Sequence, residues 1–291
     1  GGGGEYSATG GGADPFTGVS ARPAGGRQLA YCPMKATLVF DAAQLDGIRK
    51  KIGEFNGAVP PSSALAADEV GTGLATLCDA LNDRGVLAGG SLPSLPVVEK
   101  LLTWPAENLF PVLDLVRVMA LNPAAAGYLE GRGPLLAGAV ARAAASGLAP
   151  NLLTGARLVA NACKGGLKAW ARENRAGLLD ALARCCSSEN KNVRIAFATA
   201  LLNLAVLCTE SADEEGRTQC LSAAVELLNA SLDEPESSFR ALVAVGTVAH
   251  GDSGMKSLAR DMGAGDIAKS AKLSPVAKLA GAAMDVEQIL T

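Results

Sequence analysis

The sequence predicts an all-α chain built as a helical solenoid, and three observations carry that prediction. Aromatic residues make up only 4% of the 291 positions while hydrophobic ones make up 49%, with Ala, Leu, Val and Gly dominant. That mixture suits close-packed helices better than a sheet, which favours β-branched and aromatic side chains. Helix breakers recur in "NGAVPPSS", "AGGSLPSLP", "TWPAEN", "LNPAAAG", "SGLAPN", "CKGG", "SSENKN", "ESADEEG", "LDEPESS" and "AHGDSG". Between them lie runs of roughly 10 to 16 residues with Ala and Leu at the helical period. Finally, "VLDLVRVMALN", "LLTGARLVANACKGG", "IAFATALLNLAVLC" and "SSFRALVAVGTVAHG" each carry a polar side chain in apolar surroundings, and aligning Arg117, Arg157, Thr199 and Arg240 gives steps of 40, 42 and 41 residues. A period near 40 belongs to armadillo or HEAT repeats.

The elements follow in order. Residues 1–30, "GGGGEYSATGGGADPFTGVSARPAGGRQLA", hold so much Gly and so few large apolar side chains that burial cannot offset the entropy of ordering. They read as a flexible linker, and an opening "GGGG" in place of Met suggests a piece of a longer chain. A Gly-rich phosphate cradle needs a strand before it and a helix after it, and neither is predicted here. Within the linker, "DPFTG" with its bulky Phe16 reads as a short docking element. The solenoid is expected over 31–291. In "YCPMKATLVFDAAQLDGIRKKIGEFNGAVPP" the stretch "ATLVFD" reads as extended, although Leu38 falls near helical spacing with Ile48, Ile52 and Phe55. Trp104 and Phe110 each precede a proline, so both rings are expected to plug junctions between repeats, and Trp170 in "GGLKAWAREN" likewise.

Charge and cysteine usage exclude several classes. A net charge of −3 and a pI near 5.4 argue against a general affinity for nucleic acid. The uncharged run "IAFATALLNLAVLCT", 195–209, is shorter than the ~20 residues of a membrane helix and contains Asn203. Seven cysteines, an odd number without Cys-x-x-Cys spacing, read as free buried thiols in a reducing compartment, with Cys185 and Cys186 divided between core and surface. Ligand pairs at metal spacing are lacking, so no metal or cofactor is expected.

The stretch "VAHGDSGM" contains the Gly-Asp-Ser-Gly tetrapeptide of trypsin-like proteases together with His250, the only histidine of the chain. A serine nucleophile needs a base, a buried carboxylate and oxyanion donors assembled by the fold. Helical surroundings instead favour a helix end between Gly246 and Gly251, with Asp252 or Ser253 capping the next helix, rather than a hydrolase built on Ser253.

The repeating polar residues suggest a binding function. Asn161 and Asn203 stand one helical turn after Arg157 and Thr199, on the same helix face. In such solenoids one helix of each repeat lines a concave groove. A ladder of Asn there can donate to and accept from an extended backbone, while Arg117, Arg157 and Arg240 favour carboxylates. The groove therefore reads as a site for an acidic peptide. Two other readings compete: a carrier for basic cargo, as importins are, and a purely structural solenoid in which pairs such as Arg117 with Asp114 occupy the arginines.

"PMKATLVFDAAQLDGIRKKIGEFNG" (33–57), "WPAENLFPVLDLVRV" (104–118), "SENKNVRIAFATALLNLAV" (188–206), "GRTQCLSAAVELL" (216–228) and "SSFRALVAVGTV" (237–248) closely resemble the PUL domain found in phospholipase-activating proteins. The "DPFTG" element is similar to one lying between that domain and a ubiquitin-binding PFU domain. The resemblance implies an armadillo array of about six repeats that binds the acidic, aromatic-bearing C-terminal tail of the valosin-containing AAA ATPase. It further implies a role in ubiquitin-dependent protein turnover in cytoplasm and nucleus, with ubiquitin contacted by the PFU domain outside this chain. Arg117 and Arg240 fall on family arginines associated with the tail, and Asn161 and Asn203 match groove asparagines by position. Arg157 is added by the 40-residue period alone. "AHGDSG" and "LNDRGVLAGGSLPSLP" (81–96) depart from the family pattern, which affects local loops.

Overall fold

The computed structural model describes residues 28–82, 94–231 and 233–291, so the Gly-rich linker up to residue 27, its "DPFTG" element and most of the 81–96 loop lie outside the described residues. Among the described residues every regular element is a helix and there is no strand. The helices are α1 Leu45–Asn56, α2 Leu74–Asn82, α3 Pro96–Leu101, α4 Phe110–Met119, α5 Pro123–Glu130, α6 Gly133–Ala145, α7 Ala149–Ala162, α8 Lys168–Glu173, α9 Arg175–Leu182, α10 Lys191–Glu210, α11 Glu214–Ser231, α12 Pro235–Ala249, α13 Ser253–Asp261, α14 Ala264–Ala271 and α15 Ala277–Leu290.

Breaks between helices fall where the sequence places them, and the termini show why. Pro96, Pro111, Pro123, Pro134, Pro150 and Pro235 all sit in the first turn of a helix, where the missing N–H has no intrahelical partner to lose. Side chains cap several starts. Asn122 accepts from the amides of Ala124 and Ala125, Asn190 from Asn192, and Glu234 from Glu236 and Ser237.

Two rows of helices result. α4, α7, α10, α12 and α15 pack side by side in one row, and α6, α9, α11 and α14 lie behind them. A helix of such an array cannot bury its apolar face alone, and stacking on its neighbours buries a continuous core that includes Trp104, Phe197 and Phe239. α10 shows this most fully. By length and composition it is long and apolar enough to cross a membrane, yet 78% of its apolar window is buried between its neighbours α7, α11 and α12. Trp104 and Trp170 are buried at junctions with their indole N–H groups donating to the carbonyls of Ser63 (2.9 Å) and Gly133 (3.1 Å), while Phe110 meets Phe55 edge to face. The seven cysteines are free and buried; Cys185 and Cys186 both lie inside, not one in and one out, because the 3₁₀ turn Ala183–Ser187 is wedged against α10 and α11.

The protease-like tetrapeptide is a helix cap. Asp252 accepts from the amide of Met255 at 2.9 Å, Gly251 takes a left-handed φ of 75°, and Ser253 and His250 face outward. Gly246, expected from the sequence to flank that helix end, lies inside α12 instead, for a reason that the groove makes clear.

Candidate peptide-binding groove

Residues 30–42 precede α1 as a strap that bends at residues 30, 31, 33 and 36 and runs without a bend from 37 to 42, in line with the extended reading of "ATLVFD" over that stretch and against any helical role for Leu38. The strap runs across the front row of helices from α15 back to α4. Asn203 on α10 holds Leu38 at both backbone groups: its Oδ1 accepts from the Leu38 amide at 2.9 Å and its Nδ2 donates to the Leu38 carbonyl at 2.7 Å. Asn161 on α7 treats Phe40 in the same way, at 2.7 and 2.9 Å. Both amides are fully buried, and their second N–H ties neighbouring helices together, Asn203 to the Ala160 carbonyl and Asn161 to the Arg117 carbonyl. An extended chain repeats every second residue, which is why residues 38 and 40 meet equivalent positions on successive repeats.

The other end of the strap is anchored by residues that the sequence did not single out. Thr247 accepts from the Met34 amide at 2.9 Å. The buried carboxylate of Asp285 on α15 accepts from the amides of Ala30 (2.8 Å), Tyr31 (2.7 Å) and Cys32 (3.3 Å). Two glycines make room: a Cβ on Gly246 would collide with Cys32, and one on Gly281 would stand 2.6 Å from the Tyr31 ring. Tyr31 also packs edge to face on Phe239. A lone Asp in "AGAAMDVEQIL" and glycines inside otherwise Ala- and Val-rich helices were the available signals. Gly281 stands 41 positions after Arg240 and Asp285 82 after Asn203, so both keep the repeat period with a different residue type, whereas Gly246 and Thr247 stand off it.

The arginines divide into three situations. Arg117 is 3% exposed and its guanidinium is fully engaged, by Asp114 at 2.6 Å and by the carbonyls of Phe40 (2.7 Å) and Ala42 (2.9 Å). Arg240 pairs with Glu236 at 2.7 Å and donates to Thr199, and Glu236 also meets Lys278. Arg157 differs from both. Its guanidinium lies over the Phe40 ring, 5.2 Å from the centroid, its buried Nε has no hydrogen-bond partner, and among the described residues no carboxylate pairs with it. Burial and the like charge of Arg117 both weaken its hold on the proton, which Asp114 only partly offsets.

Of the five residues expected to contact a peptide, the structure therefore brings Arg117, Arg157 and Asn161 together around Phe40, places Asn203 at Leu38, and sets Arg240 one repeat further on. The peptide that Arg117, Asn161 and Asn203 hold is the chain's own strap. Sequence alone could not distinguish a ladder for a foreign backbone from one for residues 30–42, since both present the same amide groups.

Comparisons with known proteins agree with this architecture. Designed armadillo repeat proteins superpose with TM-scores of 0.55 and 0.56 at 15% identity, covering 85% and 86% of this chain and all of theirs; one of them is in complex with the peptide (KR)4. An engineered protein superposes with a TM-score of 0.60 at 18% identity, covering 84% of this chain and 98% of its own. Phospholipase A-2-activating protein of Xenopus laevis is 30% identical over 239 residues, 80% of this chain, which spans 29% of that relative's length. The profile of the PUL domain matches residues 32–284, and on this evidence the chain belongs to the PUL domain family.

Proposed function

We propose that this chain is a non-enzymatic adaptor module whose groove binds the acidic C-terminal tail of the valosin-containing AAA ATPase, in the service of ubiquitin-dependent protein turnover in cytoplasm and nucleus. The observation that carries the reading is Arg157: a half-buried guanidinium beside the strap that is paired with no carboxylate among the described residues and is only partly offset by the nearby Asp114. An incoming carboxylate there would relieve both its desolvation and its repulsion from Arg117. Arg240 adds a second positive group that Glu236 only partly neutralises, because Glu236 is shared with Lys278. Arg117, Asn161 and Asn203 contribute through the strap, which they hold as one wall of the groove. A neighbouring PFU domain would supply ubiquitin binding.

Titration of a fluorescent tail peptide against the chain tests this. The expected result is saturable binding that Arg157→Glu and Arg240→Glu each weaken by at least tenfold, with circular dichroism unchanged. A basic peptide serves as the opposing probe. Tighter binding of the basic peptide, or an undiminished affinity in the folded Arg157→Glu/Arg240→Glu double variant, would refute the assignment.

A further inference from the structure

Over residues 37–41 the strap is hydrogen-bonded along one edge only. In an extended chain the N–H and C=O of one residue point to the same side, and those of the next residue point to the other. Leu38 and Phe40 direct theirs to Asn203, Asn161 and Arg117. Thr37, Val39 and Asp41 therefore direct theirs away, and among the described residues these groups have no hydrogen-bond partner. Val39 is 37% exposed and Asp41 is exposed too. Since buried backbone groups are almost always paired, this edge faces water. A row of unpaired groups on an extended segment is a template for another strand.

We propose that an acidic peptide binds by adding to this edge as a second strand, pairing its backbone with Thr37, Val39 and Asp41 while one of its carboxylates meets Arg157. The strap is then part of the receptor and not a competitor for the ligand. Charge selects the occupant: Asp114 and Glu236 are already paired with Arg117 and Arg240, whereas Arg157 over Phe40 is not paired with any carboxylate among the described residues. The exposed carboxylate of Asp41 opposes acidic residues at the α4 end, so the acidic stretch of the peptide should lie over Lys35 to Phe40, where Lys35 is also exposed. Strand addition supplies affinity through main-chain hydrogen bonds and leaves specificity to the flanking side chains. This inference rests on the peptide-binding reading above and names the way the ligand is held.

Amide hydrogen exchange on the full chain, with and without a saturating synthetic peptide of the ATPase tail, separates the outcomes. Without peptide, the Leu38 and Phe40 amides should be protected and those of Thr37 and Val39 should exchange freely. With peptide, Thr37 and Val39 should gain protection while Leu38 and Phe40 keep theirs. Val39→Pro removes an open-edge donor without touching the Asn ladder, so it should leave the melting temperature in place and weaken binding by about tenfold, as expected for losing a main-chain hydrogen bond in a strand pair. Loss of protection at Leu38 and Phe40 would show that the peptide displaces the strap, and binding that leaves Thr37 and Val39 unprotected would show contact through side chains alone; either overturns strand addition while peptide binding stands. Failure of the tail peptide to bind at millimolar concentration overturns both readings.

Discussion

Asn203 grips Leu38 by both its amide and its carbonyl while its remaining N–H reaches the Ala160 carbonyl on the neighbouring helix. One side chain thus couples the strap, α10 and α7. Asn203→Ala leaves the Ala160 carbonyl without that partner in a place where water cannot easily replace it, and should cost about 1–3 kcal/mol. Asn203→Asp is nearly isosteric but cannot donate to either carbonyl when ionised, and it buries a charge. It should therefore be the more damaging change near neutral pH and partly recover as the pH falls and the carboxyl takes up a proton. Urea unfolding of the two variants at two pH values checks the order.

Gly246 sets two effects against each other. Ala is the better helix former by about 1 kcal/mol, yet a methyl group there meets Cys32, and overpacking costs about 1–3 kcal/mol. The clash should win because Cys32 is itself held, with its amide on Asp285 and its side chain 5% exposed. Gly246→Ala is thus expected to lower stability, and adding Cys32→Ala to recover part of the loss by removing the Sγ contact, since the Cys32 Cβ would still stand 2.9 Å from the new methyl. A double-mutant cycle by thermal denaturation reads the coupling. Destabilisation that Cys32→Ala does not relieve would mean that the strap is not what the glycine accommodates.

Arg157 should be worth little to the fold. Replacing it with Leu gives up a cation–π contact with Phe40, about 0.5–1 kcal/mol, and removes a charge that burial and Arg117 both penalise and Asp114 only partly offsets. These effects oppose each other, so Arg157→Leu should lie within about 0.5 kcal/mol of wild type while losing tail affinity. Arg117→Leu is the contrast: it leaves the Phe40 carbonyl with Asn161 alone and takes their partner from the Ala42 carbonyl and the Asp114 carboxylate, and should destabilise the domain whatever it does to binding. Comparing melting temperature with affinity for both variants separates holding the strap from meeting the ligand.

The repeat architecture was legible because its causes are local and periodic. Breakers such as those around Pro123 and Pro150, the capping Asp252, and polar residues returning every 40 to 42 positions all leave marks along the chain. The Asn pair was legible for the same reason. Its occupant was not, because pairing Asn161 with Phe40 and Asn203 with Leu38 links positions 121 and 165 residues apart, and nothing in a helical period records such a partnership. Asp285 escaped because it keeps the period with a carboxylate in place of the amide, and Thr247 because it stands off the period. Arg117 illustrates the limit from the other side: the Asp114 pair was foreseeable at a spacing of three, whereas the two strap carbonyls that complete its shell were not.

The Gly-Asp-Ser-Gly turn yields the last prediction, in which serine and aspartate exchange the importance that a protease would give them. Asp252 caps α13 through the Met255 amide and also accepts from Arg217 at 2.7 Å. The amide first, and then the guanidinium, hold its carboxyl below the usual carboxylate range. A carboxylate with a depressed folded pKa contributes stability that is present above its unfolded pKa and disappears as the pH drops through the folded one. Asp252→Ala should accordingly cost about 0.5–2 kcal/mol at pH 7, the range for losing a helix cap, and the gap to wild type should close on acidification below about pH 4. Ser253→Ala should change stability by less than about 0.5 kcal/mol, since its hydroxyl is exposed in the first turn. Chemical denaturation across pH 2–7 gives both numbers. A Ser253 that reacted with a fluorophosphonate, or an Asp252 whose removal left the acid profile untouched, would return the tetrapeptide to the status of an unexplained motif.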